Sequence, residues 1–283
     1  MTPRRNTAIS EVRIPRPALE AVRRMQESGE IHVWWWPLGA RTDPADYAVL
    51  DEVERGRAQR FHAEADAAAF TATRAGARRA VAGLLGVEPG EVGFGRRICP
   101  GCGDREHGPP AVTDPPVPLA VSLSRTAGAG ALAVRAGNWV GVDVEALRPV
   151  EPAGLAEVVL TAPESAYVLG LPPGPARDAA FHRAWTRKEA VVKAVGLGLL
   201  GMPLNTLDVA PAQDGPVRVV HRYRGEETRW QVTDVDIGDR WAASVARPET
   251  SPPGPVHTHA PAHPRGRCRD DHRHQRHDRT GHG

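Results

Sequence analysis

Trp185, Glu189 and Lys193 recur at intervals of four within Trp185-Thr-Arg-Lys-Glu-Ala-Val-Val-Lys-Ala-Val-Gly196. That spacing strongly favours one secondary structure. At 3.6 residues per turn the three lie near one face of a helix. Val191, Val192, Ala194 and Val195 supply apolar surface elsewhere on it. Ala184 and Ala190 favour helix, and Gly196 and Gly198 are suited to end it. The Glu189–Lys193 pair alone is ordinary, since such pairs stabilise surface helices by only about 0.2–0.5 kcal/mol.

Upstream, Asn138-Trp-Val-Gly-Val-Asp-Val-Glu145 is rich in β-branched and aromatic residues and predicts a strand. Asp143 and Glu145 are two apart, so both carboxylates leave one face, while Val142 and Val144 face a core. Adjacent carboxylates repel unless a cation sits between them. An all-oxygen donor set suits Mg²⁺ or Mn²⁺, with waters and ligand phosphates completing an octahedron. A lone Asp-x-Glu is more often a solvated strand end. Strand and helix together offer three carboxylates, Lys188, Lys193 and Trp185, which can converge on a metal and a phosphorylated ligand.

The two segments resemble those of the 4′-phosphopantetheinyl transferases, specifically the surfactin-synthetase-activating type. That family carries a G-[IV]-D-x-E strand and then a W-x-x-K-E-x-x-x-K helix, in the order found here. Leu160-Thr-Ala-Pro-Glu164 is similar to its F-[ST]-x-x-E segment, with Leu replacing Phe. Gly196-Leu-Gly198-Leu is similar to its G-x-G-L, and Val121-Ser-Leu-Ser124-Arg125-Thr-Ala-Gly128 to its S-x-S-H-x-x-G. The likeness spans residues 31–246. There are two departures. Arg125 stands where the family often has a histidine that contacts a coenzyme A phosphate, and arginine offers a permanent cation with a planar donor fork. Gly108-Pro109-Pro110 lacks the cation of the family's G-[KR]-P turn, which implies weaker coenzyme A binding or a substitute cation.

The resemblance implies an α+β fold of two similar helix-plus-antiparallel-sheet lobes, related by a pseudo-two-fold, with the coenzyme between them. Residues 1–30 read as a polar leader with a short helix over 17–27. Residues 31–138 read as the N-terminal lobe, and 139–248 as a C-terminal lobe with the metal and catalytic motifs. Helices are expected over 43–61, 63–86, 155–159 and 163–169. Strands are expected over 31–37, 92–98, 117–124, 131–135, 139–145, 207–209, 217–223, 228–234 and 240–246. Residues 249–283, rich in Pro, His and Arg, hold too little apolar surface to offset their ordering entropy and are expected to be disordered. His272, His274 and His277 in that tail can bind metals adventitiously.

The implied activity is transfer of the 4′-phosphopantetheine arm of coenzyme A to a serine of an apo acyl or peptidyl carrier protein. The products are holo-carrier and 3′,5′-ADP, in polyketide or nonribosomal peptide biosynthesis. Asp143, Glu145 and Glu189 would hold Mg²⁺ (or Mn²⁺), with Glu189 as the base. Lys193 and Lys188 would stabilise charge on the phosphates. Arg74, Arg78, Ser124 and Arg125 would hold the coenzyme; arginine runs such as Arg74, Arg78 and Arg79 equally often form a solvated face. The alternative is a catalytically degenerate module that binds coenzyme A or a carrier protein.

Other classes find less support. A formal charge of +2 is too small to imply nucleic acid. No stretch approaches the roughly 20 apolar residues of a membrane span, and Met1-Thr-Pro-Arg-Arg lacks an apolar signal segment. A cytoplasmic monomer is the expectation. Gly196-Leu-Gly-Leu-Leu-Gly201 matches G-x-G-x-x-G but follows a helix rather than a strand, so it is not a dinucleotide fingerprint. Cys99-Pro-Gly-Cys102, followed by His107, has metal-ligand spacing. Structural zinc takes four ligands and only three are local, so free thiols in a turn are the competing reading.

Overall fold

A computed structural model describes residues 14–260. The first lobe opens with α1 (Arg16–Ser28) and β1 (Ile31–Pro37), followed by α2 (Pro44–Ala48), α3 (Glu52–Ala58) and α4 (Glu64–Leu85). It continues through β2 (Gly93–Arg96), β3 (Pro110–Asp114), β4 (Leu119–Thr126) and β5 (Ala129–Ala136). The second lobe contains β6 (Gly141–Ala146), α5 (Ala156–Val159), α6 (Ala162–Gly170), α7 (Pro175–Val195) and α8 (Gly198–Gly201). It closes with β7 (Val217–Tyr223), β8 (Glu226–Asp234) and β9 (Trp241–Pro248), before β10 (Val256–His259) returns to the first lobe. The strands form a six-stranded sheet, β10-β1-β5-β4-β3-β2, and a four-stranded sheet, β6-β9-β8-β7. This is the expected α+β architecture.

Strand β5 explains how the sheets stack. Leu132 and Val134 on one face pack with Val22 and Met25 of α1 and with Val81 and Leu85 of α4. Ala129, Ala131 and Ala133 on the other face meet Val142 and Val144 of β6 and Val245 of β9. Small residues let the second sheet approach; large ones fill the gap to the helices. Trp36 is seated by the same logic. A Cβ on Gly76 would lie 2.7 Å, and one on Gly130 2.6 Å, from its indole ring.

Several expectations change. The single helix over 43–61 is instead α2 and α3, because Asp51 begins a new helix through a capping box with Glu54. Strand β3 was not foreseen, since Pro110–Asp114 shows no alternation. Residues 207–209 are not a strand; they are irregular chain packed on α7. The leader is not merely polar: α1 buries Ala18, Ala21, Val22 and Met25.

The tail begins with order. Strand β10 pairs in parallel with β1, from Ile31↔Val256 to Trp34↔His259. An edge strand needs only backbone partners, so its low apolar content is no obstacle. Arg247 helps place it by donating to the carbonyls of Gly29 and Gly254, at 3.1 and 2.8 Å. The N-terminal lobe therefore draws on chain from beyond residue 248. The expectations for residues 1–13 and 261–283 lie outside the described residues. No helix among the described residues is long and apolar enough to cross a membrane.

Candidate active site

Strand β6 and helix α7 are in backbone contact. A Cβ on Gly141 would lie 1.9 Å from the Ala190 carbonyl oxygen and 2.5 Å from the Ala194 nitrogen. The glycine of Gly-Val-Asp-Val-Glu is therefore what lets the acidic strand approach the helix. A Gly141→Ala variant should drive β6 off α7, since neither obstructing atom belongs to a flexible side chain. Overpacking of this kind costs about 1–3 kcal/mol or more. Circular-dichroism melting should show the loss, and activity per folded molecule should also fall. An unchanged melting temperature would show that the approach is not needed.

At this contact the structure brings Asp143, Glu145, Glu189 and Lys193 together. Lys193 Nζ lies 2.6 Å from Asp143 Oδ1 and donates to Ser124 Oγ at 2.9 Å. Ser124 Oγ in turn donates to Asp143 Oδ1 at 2.8 Å. Thr126 Oγ1 donates to Glu145 Oε2 at 3.1 Å. Hydroxyls of β4 also accept from β6: Val142 N–H donates to Ser122 Oγ, Val144 N–H to Ser124 Oγ and Ala146 N–H to Thr126 Oγ1, at 3.1, 3.3 and 3.2 Å. Three alternating hydroxyls on β4 thus replace a backbone ladder and join the two sheets. Thr126 was missed by the sequence reading, although the period-2 run Ser122-x-Ser124-x-Thr126 carries the signal.

The electrostatics are strained in one direction. Burial pushes the Glu189 carboxyl up to about 7, with Asp143 and Glu145 adding to the rise and Lys193 opposing it. Glu145 is also raised, by burial first and then by Asp143. Asp143 Oδ2 is buried and has no hydrogen-bond partner among the described residues. A buried carboxylate oxygen without a donor is costly. Glu145 and Glu189 couple to it by charge, but the oxygens of the three carboxylates do not all lie within 4.8 Å of one another. In donor chemistry the three suit a divalent, oxygen-preferring cation, which would have to draw them closer.

Other predicted residues lie elsewhere, and three of them have their polar atoms engaged within the protein. Lys188 is fully buried, with Nζ 2.6 Å from Glu164 Oε2, and it donates to the carbonyls of Leu204 (3.0 Å) and Leu207. It sits one residue off the Trp185–Glu189–Lys193 face, and all its donors are used inside the lobe, so it holds no phosphate here. Arg78 is 1% exposed and is spent on Asp51, Glu54 and the Val92 carbonyl. Ser124 uses its one donor and both acceptor sites within the protein, which leaves nothing for a coenzyme.

Arg74 is partly buried against Glu54 and lies over the Phe94 ring at 4.5 Å. Arg125 remains exposed, over Phe61 and Phe70 at 5.6 and 6.0 Å. Arg57, which the sequence did not single out, lies over the same Phe70 at 5.2 Å. Trp185 packs on Phe181 and the second-lobe core. A groove of about 840 Å³, lined by Arg135, Trp139, Leu197, His221 and Trp230 among others, borders none of the three carboxylates.

These features define a two-sheet α+β protein with an acidic site where a strand of one sheet backs onto a helix. Residues 139–246, which include that strand and helix, match the family described as the 4′-phosphopantetheinyl transferase superfamily. The chain is also similar to the 4′-phosphopantetheinyl transferase HetI of Nostoc sp. (strain PCC 7120), with 29% identity over 225 residues. That alignment covers 77% of this chain and 88% of the relative. The likeness to the 4′-phosphopantetheinyl transferases thus rests on the second lobe and on this relative.

Proposed function

We propose that this chain transfers the 4′-phosphopantetheine arm of coenzyme A to a serine of an apo carrier protein, and that the carboxylate cluster is where transfer occurs. The observation that carries the site is Asp143 paired with Lys193, one Asp143 oxygen buried without a partner among the described residues, and Glu145 and Glu189 coupled to it by charge. Asp143, Glu145 and Glu189 would hold Mg²⁺, or Mn²⁺ in its place. The ion, when bound, neutralises pyrophosphate charge and orients the phosphate for in-line attack.

The protein's own residues supply the rest. Glu189 would take the proton of the attacking serine hydroxyl. Lys193 holds Asp143 in place and brings a cation to the edge of the cluster, where charge on the leaving phosphate develops. The serine oxygen forms a bond to the β-phosphorus of coenzyme A as the bond to the bridging oxygen breaks. The leaving group is 3′,5′-ADP. Arg125, exposed on β4 over Phe61 and Phe70, and the partly exposed Arg74 would be the cations offered to the outer phosphates. The cytoplasm is the proposed place of action, since coenzyme A is an intracellular metabolite.

The test is to incubate the protein with coenzyme A, Mg²⁺ and an apo acyl or peptidyl carrier, then to weigh the carrier intact. A gain equal to one phosphopantetheine arm, abolished by chelator, is expected. Coenzyme A binding with no gain on any carrier would instead make this a binding module. Carriers of this reaction present acidic helices, so raising salt should raise the apparent KM for the carrier more than that for coenzyme A. A salt-independent KM would count against electrostatic docking.

A further inference from the structure

The loop between β2 and β3 carries donors that the transfer reaction does not use. The ligand atoms of Cys99, Cys102 and His107 all lie within 4.8 Å of one another. Cys102 Sγ and His107 Nε2 are 3.2 Å apart. The backbone is folded to hold them. Cys99 N–H donates to the Asp104 carbonyl at 2.7 Å, and Gly103 N–H donates to the Cys99 carbonyl at 2.9 Å. Gly103 takes φ +81°, which suits glycine, just after the second cysteine. On the far side, a Cβ on Gly108 would lie 1.7 Å from the Arg97 carbonyl oxygen, so the chain after His107 is pressed against the chain entering the loop.

We propose that Cys99, Cys102 and His107 bind one zinc ion that staples this loop, with the fourth position taken by solvent. Asp104 Oδ2 lies 3.6 Å from His107 Nε2 and helps orient that ring. Zinc bonds of about 2.3 Å to sulfur and about 2.0 Å to nitrogen, at a tetrahedral angle, separate the two ligand atoms by about 3.5 Å. The observed separation needs little adjustment to match. Two thiolates and an imidazole select zinc over Mg²⁺ or Mn²⁺, so this site does not compete for the ion of the carboxylate cluster.

The place of the loop gives the ion a task. Gly196, which ends α7 at φ +83°, backs onto Pro109, where a Cβ would meet the ring at 2.3 Å. Arg224, in the turn between β7 and β8, donates to the Gly101 carbonyl at 3.2 Å. The loop of the first lobe thus rests on the end of the helix that carries Glu189 and Lys193. The zinc site is a positioning element for that helix and touches no substrate.

The experiment uses the full chain, purified without an affinity tag. After dialysis against a weak chelator, the protein is loaded with Co²⁺ and its spectrum is recorded, with zinc content measured in parallel. One tightly held equivalent is expected, with a near-ultraviolet thiolate-to-cobalt charge-transfer band. The histidines of the tail give no such band, so they do not mimic the result. Cys102→Ser should abolish the band and lower the melting temperature, and Cys268→Ser should leave both unchanged. Should Cys102→Ser not fold, the wild-type and Cys268→Ser spectra still decide. A wild-type protein without the band overturns the proposal, and so does a band that depends on Cys268.

Discussion

Glu189→Gln should lower transfer activity by about 10²–10⁴-fold while the protein stays folded, because it removes the group placed to take the serine proton. The same substitution should raise stability at neutral pH in the absence of metal, and this pairing is diagnostic. Folding raises the Glu189 carboxyl from 4.5 to about 7, so the folded state favours the protonated acid. The stability this contributes is fully present below pH 4.5 and is lost as pH rises through 7. The difference amounts to about 3 kcal/mol, at 1.36 kcal/mol per pKa unit. Metal-free wild type should therefore lose stability across that window, Glu145 adding in the same direction. Glu189→Gln should flatten the loss. Because proton and cation compete for the same carboxylates, apparent Mg²⁺ affinity in the wild type should climb up to about pH 7 and then level off. Denaturant melts and Mg²⁺ titrations at several pH values check both statements. A Glu189→Gln enzyme with full activity would remove Glu189 from the chemistry.

Lys188→Met should destabilise the protein rather than merely slow it. Glu164 would be left ionised and 1% exposed, accepting only from the Thr161 and Val209 N–H groups at 2.8 and 2.7 Å. Breaking one side of such a buried pair costs about 3–5 kcal/mol. At about 2–4 °C per kcal/mol for a protein of this size, the melting temperature should fall by roughly 10 °C. Burial already pulls the Lys188 ammonium below its usual range, against the pull of Glu164. Its value therefore lies in tying α6, α7 and residues 204–209 into one lobe. A second variant, Lys188→Met with Glu164→Leu, should recover much of the loss, because it removes both charges together. Wild-type melting of Lys188→Met with abolished transfer would return Lys188 to the substrate.

The α7 helix, the β6 strand and the presence of Asp143, Glu145, Glu189 and Lys193 on them could be read from spacing alone. Periods of 3.6 and 2 place side chains on faces wherever the chain goes, and glycine at position 196 ends the helix by its own conformational freedom. Those rules are local, and they stop where a side chain's partner is distant in sequence. Lys188 and Lys193 differ by little in the sequence. One became a buried strut because Glu164 and the carbonyls of Leu204 and Leu207 surround it, the other a site cation because Asp143 and Ser124 do. Arg78 likewise looked like a phosphate ligand until Asp51 and Glu54 claimed it. The edge strand β10 drew on backbone groups of β1 and so left no apolar trace. Composition and periodicity determined which residues could carry the chemistry. The tertiary structure decided which of them meet, because desolvation and the choice of partner depend on neighbours that only folding assembles.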